Sequence, residues 1–303
     1  MTTSRYSLFI AIAFIAIALL TLASPSLGQS STPTPAAWKP VESAFGRTGK
    51  VQPDGTLKFS MPRKDLKVTV AGTPIKAGLA LGSWAAFSTS GENAMVMGDL
   101  VLTEDEVAPV MAKLQAGGIE ISALHNHLLH ESPRVMYMHI AGHGNAAQLA
   151  QSVHNALAET GSPGESPAAA TEKLDLDTDK IDEVLARKGK DNGGIYQFTV
   201  PRAEVIHAHG MDIPTSMGVA TAINFQPTGD GRAAITGDFV LLGSEVNPVI
   251  AALRESGIQV TALHSHMLDE EPRLFFMHFW ADDDAVKLAH GLRAALDKTN
   301  SKK

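Results

Sequence analysis

The feature that most constrains this chain is that it states one pattern twice. Shifted by 139 residues, the sequence falls into register with itself. Over 98–159 against 237–298, 27 of 62 positions are identical without a gap, so the two segments must adopt one fold. Upstream the match is weaker and needs a one-residue shift: "GRTGK" (46–50) meets "ARKGK" (186–190), and Pro62-Arg63 meets Pro201-Arg202. The 303 residues therefore divide into a leader (1–28), a flexible lead-in (29–37), a first repeat domain (38–160), a linker (161–174) and a second repeat domain (175–303). The linker contains the Pro/Gly/Ser-rich run "GSPGESPAAA".

Within one repeat the local pattern is legible. "VESAF" and "IDEVLA" read as short helices, "TLKFSMPR" and "IYQFTVPR" as alternating strands that end at proline. "KVTVAG" and "EVIHAHG" read as a further strand, and "SWAAFST" with "NAMVMGDLVL" as a hairpin. Thr103-x-x-Glu106 has the form of a capping box before a helix that ends at Gly117-Gly118, and Glu245 is expected to serve its helix similarly. "IEISALHNH" and "PRVMYMHIAG" follow as two strands, then "NAAQLAQSVHNALAE" with apolar residues at helical spacing. The fold class is α+β: two tandem homologous domains, each with an antiparallel sheet and a ferredoxin-like β-α-β-β-α second half, packed about a pseudo-twofold axis.

Arg5 followed by the apolar run "LFIAIAFIAIALLTLA" (8–23) and small residues before Gln29 reads as a secretory signal peptide; an uncleaved anchor is the rival reading. Export implies a periplasmic or extracellular protein with no stable membrane insertion after cleavage. There is no cysteine, hence no disulfide and no lipobox, and any metal site must use His, Met or carboxylates. The net charge of −7 is spread without blocks, and no basic stripe with interleaved aromatics marks a nucleic-acid partner. No G-x-S-x-G, Walker loop, dinucleotide fingerprint or H-E-x-x-H occurs.

Six of the twelve histidines recur between the repeats: His125, His127 and His139, and His264, His266 and His278. Residues two apart on a strand share a face, so H-x-H plus a third histidine across a hairpin can converge on one ion. Three imidazoles suit zinc, with another divalent transition metal as the alternative. Glu131 and Glu270, in the loop between the histidine strands, are candidate general bases, and Arg134 and Arg273 candidate holders of an anionic substrate. Asp99 and Asp238 follow glycine, where turn chemistry explains them as well as catalysis does. Met138 and Met277 face away from the histidines, as core residues would. His207 and His209 have no counterpart in the first repeat. Ser122 adjoins the cluster, but strand alternation sets it on the face opposite His125.

The strings "AGLALGSWAAF" (77–87), "GDLVLTEDEV…ALHNHLL…PRVMYMH" within 94–144 and the echo in 235–280 resemble the LppY/LpqO family of exported bacterial proteins. That resemblance implies export and a duplicated architecture but carries over no catalytic residues. Two functions follow. One is an exported zinc-binding protein, extending to a metal-dependent hydrolase of an anionic envelope or periplasmic substrate. The other is a metal-free ligand-binding or structural module whose histidines line a cleft.

Overall fold

The computed structural model describes Met1 and residues 35–91, 93–161 and 174–302. The expected signal peptide and most of the linker lie outside the described residues. The first repeat runs α1 (Lys39–Phe45), β1 (Lys50–Val51), β2 (Leu57–Pro62), β3 (Gly82–Ser90), β4 (Asn93–Thr103), α2 (Glu104–Ala116), β5 (Glu120–His125), β6 (Val135–Gly144) and α3 (Ala146–Leu157). The second runs α4 (Thr178–Leu185), β7 (Lys190–Asp191), β8 (Tyr196–Pro201), β9 (Ala220–Gly229), β10 (Arg232–Leu242), α5 (Val246–Glu255), β11 (Gln259–His264), β12 (Leu274–Asp284) and α6 (Ala285–Leu296). Each builds a six-stranded antiparallel sheet, in the orders β1-β2-β3-β4-β6-β5 and β7-β8-β9-β10-β12-β11. Strands β4 and β5 both run antiparallel to β6, which lies between them, so β4-α2-β5 is a split βαβ unit. The chain is therefore α+β with two similar halves, as the duplication requires.

Local chemistry accounts for the element ends. Both bonds of the Thr103–Glu106 capping box form. Glu245 Oε2 accepts from Leu242 N at 2.7 Å and does the same work in the second repeat. The glycine before each aspartate is imposed by strand approach: a Cβ on Gly237 would lie 1.9 Å from Ala222 O, and one on Gly98 2.6 Å from Trp84 O. Arg63, only 1% exposed, reaches Val101 O at 2.8 Å, Glu106 at 2.7 Å and Asp65 at 2.9 Å. Arg202 repeats this with Val240 O, Glu245 and Glu204. Each buried guanidinium ties the end of one strand to the helix that follows another.

The core has two kinds of layer. Helices α1–α3 cover one face of the first sheet around Phe45, Phe59, Phe87 and Met138, and α4–α6 cover the second around Phe198, Phe225, Phe239 and Met277. The other faces meet across the repeats, in two clusters that mix residues of both. Val70, Leu79 and Leu81 of the first repeat pack with Ala234 and Trp280 of the second, while Ile206, Met217 and Phe276 pack with Met95 and Met97. Each repeat thus lends the crossing between its second and third strands to its neighbour. That is why "KVTVAG" pairs only at Thr69–Val70, with Thr73–Pro74 and Glu131–Ser132, instead of joining the main sheet. Gln226 clamps this arm from the other repeat, bonding Pro74 O at 2.9 Å and Lys76 N at 2.7 Å.

Candidate metal centre between the repeats

The histidines reach the interface because β5 carries a bulge. Ile121 opposes Ile140, Ala123 opposes His139 and His125 opposes Tyr137, leaving Ser122 unpaired. Ile119 and Ile121 pack toward the helices, and unbroken alternation would send Ala123 and His125 to that same side. One extra residue reverses the faces after it and turns His125 toward the other repeat. Strand β11 repeats the bulge at Thr261. The bulge also corrects the strand-parity expectation for Ser122, whose hydroxyl crosses the interface and donates to His266 O at 2.5 Å. Thr261 returns the bond to His127 O at 2.6 Å. His127 and His266 lie just beyond their strands, stacked on Tyr137 and Phe276 at ring-centroid separations of 3.3 and 3.5 Å.

Contacts across the interface are reciprocal. His127 stacks on His278 at 3.7 Å and His139 on His266 at 3.8 Å, and the His125 ring lies 3.7 Å from that of His264, tilted to it. A pair i–j matched by j–i is the signature of a twofold, and the self-matched pair His125–His264 marks the pseudo-axis. The six imidazoles expected as two separate trios therefore form one cluster. Two carboxylates join it: Asp99 opposes His139 in its ladder and Asp238 opposes His278.

Four groups within this cluster could hold a metal ion, each with its ligand atoms inside 4.8 Å of one another. Asp238, His264, His266 and His278 form the fullest, entirely within the second repeat. Asp99, His127 and His139 form its partial counterpart, while His125 joins groups that cross the axis, with His127 and His278 or with His139 and His264. No group holds the first repeat's expected trio together: His125 groups with His127 or with His139 but not with both, its Nε2 lying 3.0 Å from His139 Nε2 and its Nδ1 3.0 Å from Asn126 O.

The donor atoms fit a cation. Asp238 Oδ1, both nitrogens of His264, and Nε2 of His266 and His278 are buried without hydrogen-bond partners, as are Asp99 Oδ1 and His127 Nε2. Native proteins leave few such groups. His266 Nε2 stands 3.1 Å from Asp238 Oδ2 without forming a hydrogen bond, as ligands aimed at a common point would. His278 is anchored behind, its Nδ1 donating to Gly237 O at 2.8 Å. Such an anchor fixes the tautomer of a ligating imidazole.

Electrostatics favour neutral, ligating imidazoles. Burial, then the neighbouring rings, holds His127, His139 and His266 well below the ordinary histidine range. Burial likewise lowers His264 and His278, the latter against the attraction of Asp238. Burial pushes Asp238 up to about 6 and, with repulsion from Asp238, raises Asp99 well above the carboxylate range.

The other sequence candidates lie around this cluster rather than in it. Glu131 Oε1 accepts from Val135 N and Asn126 Nδ2, both at 3.0 Å. Glu270 Oε1 accepts from Leu274 N at 2.8 Å. Both carboxylates brace the loop that holds the second histidine of each hairpin. Arg273 supports the same loop through Leu268 O at 2.8 Å and Glu270 at 3.3 Å. Arg134 is exposed and faces Glu104 at 3.8 Å. Met138 and Met277 are buried on the helix side. His207 is exposed beside Asp212, and the His209 ring lies 4.0 Å from that of His143, tilted to it.

A cavity of about 990 Å³ opens between the sheets, with Asp99, His127, Asp238, His266 and His278 in its lining. Lys58 and Trp84 form part of its wall, the Lys58 ammonium standing 4.2 Å from the Trp84 ring centroid and donating to Ser216 O at 3.0 Å. Burial, against the pull of Asp54 and Asp99, lowers the Lys58 amine to about 8. Sequence reasoning passed over Lys58 and Trp84 because neither recurs. It had a signal for the aspartates, since Gly-Asp repeats at 98–99 and 237–238, but spacing along the chain could not bring them to the histidines.

No curated protein matches the chain. Among solved structures, the trimeric bacterial microcompartment shell protein PduB is 14% identical, with 80% of this chain and 88% of that one covered at a TM-score of 0.19. EtuB from Clostridium kluyveri is 9% identical, with 80% and 87% covered, also at 0.19. Likeness at that level bears on neither fold nor function. The model of the family described as "Domain of Unknown Function (DUF1259)" matches twice, over 39–159 and 179–298, once per repeat, and the chain belongs to that family.

Proposed function

We propose that this chain is an exported metal-binding protein, related to the LppY/LpqO proteins, whose metal is zinc held by Asp238, His264, His266 and His278. The observation that carries this reading is the set of buried imidazole nitrogens and the carboxylate oxygen that have no hydrogen-bond partner yet converge within 4.8 Å. Three imidazoles and one carboxylate match the nitrogen and oxygen ligands zinc takes, and no thiolate is available to favour softer ions. Asp99, His127 and His139 supply the corresponding, less complete set, so the second repeat fills first.

The reading extends to metal-assisted hydrolysis of an anionic substrate in the cleft between the sheets. A bound ion would supply Lewis acidity and an acidified water. The chain's own part is to keep the imidazoles neutral, exclude bulk water from the ligand atoms and fix the ring orientations from behind. Glu131 and Glu270 act as positioning residues for the loops that hold His127 and His266, and Arg273 reinforces one of those loops.

Metal analysis of protein purified without a polyhistidine tag tests this directly. One or two equivalents of zinc per chain, reduced by His264→Ala more than by His125→Ala, is the expected result. Absence of any stoichiometric transition metal, together with no thermal shift on adding zinc, copper, nickel, manganese or iron, would sink the metal reading. The metal-free cleft module would then take its place.

A further inference from the structure

The pseudo-twofold that relates the two metal-ligand sets breaks on the wall of the cleft. Lys58 corresponds to Gln197 and Trp84 to Ala222, as the ladders show: Lys58 opposes Ala86 and Trp84 opposes Asp99, while Gln197 opposes Asn224 and Ala222 opposes Asp238. The centre is thus nearly symmetric, but where the first repeat's wall carries Lys58 and Trp84 the second carries Gln197 and Ala222.

Lys58 is built to face an anion. Its ammonium has three donors, of which Ser216 O takes one. The Trp84 ring holds the charge in place by cation–π attraction at 4.2 Å. Gly218 lies close to the ring: a Cβ there would lie 2.9 Å from Trp84 Cη2 and 3.9 Å from His266 Nδ1. Trp84 is therefore held by contacts with both the lysine and the backbone that adjoins a candidate ligand. The lining's carboxylates, Asp99 and Asp238, belong to the ligand sets, and the other acid that attracts Lys58, Asp54, is engaged by Ser216 N at 2.9 Å.

We propose that Lys58, steadied by Trp84, anchors an anionic group, a carboxylate or a phosphate, of the molecule bound in this cleft, beside the histidine cluster. This names the substrate class of the site read above as a metal centre, and it rests on the cleft being that centre's open face. It does not require the metal itself, so the two readings can fail separately.

The test is titration of the mature chain, metal-loaded and metal-stripped, with inorganic phosphate and with acetate, followed by tryptophan fluorescence and calorimetry. Trp38 and Trp280 are buried, so the fluorescence response should come from Trp84 and vanish in Trp84→Phe, with calorimetric binding weakened less than in Lys58→Met. Lys58→Met should weaken binding of the preferred anion by about tenfold or more, the loss expected for one charge-assisted hydrogen bond, and Lys58→Arg should retain most of it. The loss should appear in the stripped protein too. Three outcomes overturn the proposal: neither anion binds at tens of millimolar, Lys58→Met binds as the parent does, or Lys58→Met lowers only the melting temperature. The last would make Lys58 a tie to Ser216 and nothing more.

Discussion

Replacing His264 by leucine should change sign with metal. Both ring nitrogens of His264 are buried without partners, and its ring lies 3.7 Å from that of His125, tilted to it. Each buried unsatisfied polar group costs about 1–3 kcal/mol. Leucine removes both groups at a repacking cost of roughly 1–1.5 kcal/mol. The metal-free protein should therefore be more stable than the parent, by about 0.5–5 kcal/mol. With metal at about 1,000 times its dissociation constant, the parent gains roughly 4 kcal/mol. For a chain of this size that is a rise of about 8 °C or more, from some 2–4 °C per kcal/mol. His264→Leu should lose most of that rise. His125→Leu is the internal control, because His125 is bonded to His139 and faces Asn126 O, so its loss should destabilise the metal-free protein. Thermal melts of both variants, chelated and zinc-loaded, read the prediction. If His264→Leu destabilises the chelated protein as much as His125→Leu does and keeps the zinc shift, His264 is a packed core residue and the reasoning fails.

Two further predictions concern the frame that holds the centre. Ser122→Ala and Thr261→Val each remove one hydrogen bond between the repeats, worth about 0.5–1.5 kcal/mol in urea melts. Because both bonds span one interface, the double variant should depart from additivity by about 0.5 kcal/mol or more, and strict additivity would show that the halves are not clasped there. Acid should loosen the Arg63 anchor. Hydrogen bonding to Arg63 holds Asp65 low; Glu106 is also held low, bonds from Arg63, Gly161 N and Thr103 N prevailing over burial. Depressed carboxyls contribute stability above their unfolded values of about 3.9 and 4.3, and lose it as pH falls through the folded ones. Glu106→Gln should cost about 3–5 kcal/mol at neutral pH, and the gap to the parent should narrow below about pH 4. A gap independent of pH would place the bond's worth elsewhere.

The amino-acid sequence by itself determined the duplication, the α+β class of the two halves and the residues worth watching. Duplication is visible without coordinates, and so are alternation, capping boxes and the recurrence of His125, His127 and His139 at His264, His266 and His278. Strand pairing through the hairpin was legible as well, because Met138 and Met277 alternate away from the histidines and are apolar. What only the tertiary structure decided is how the two halves are combined. A bulge shifts register by one residue, and nothing in "ISALH" or "VTALH" distinguishes a bulged strand from a regular one. Yet the bulge turns His125 and His264 out of the helix-side face and sends Ser122 and Thr261 across the interface. The reach from Gly98-Asp99 to His139, or from Gly237-Asp238 to His278, is likewise a matter of ladder register between distant strands. Two trios became one cluster with two aspartates because the pseudo-twofold presses the hairpins together. Contact across an axis follows from three-dimensional packing, which spacing along the chain does not encode.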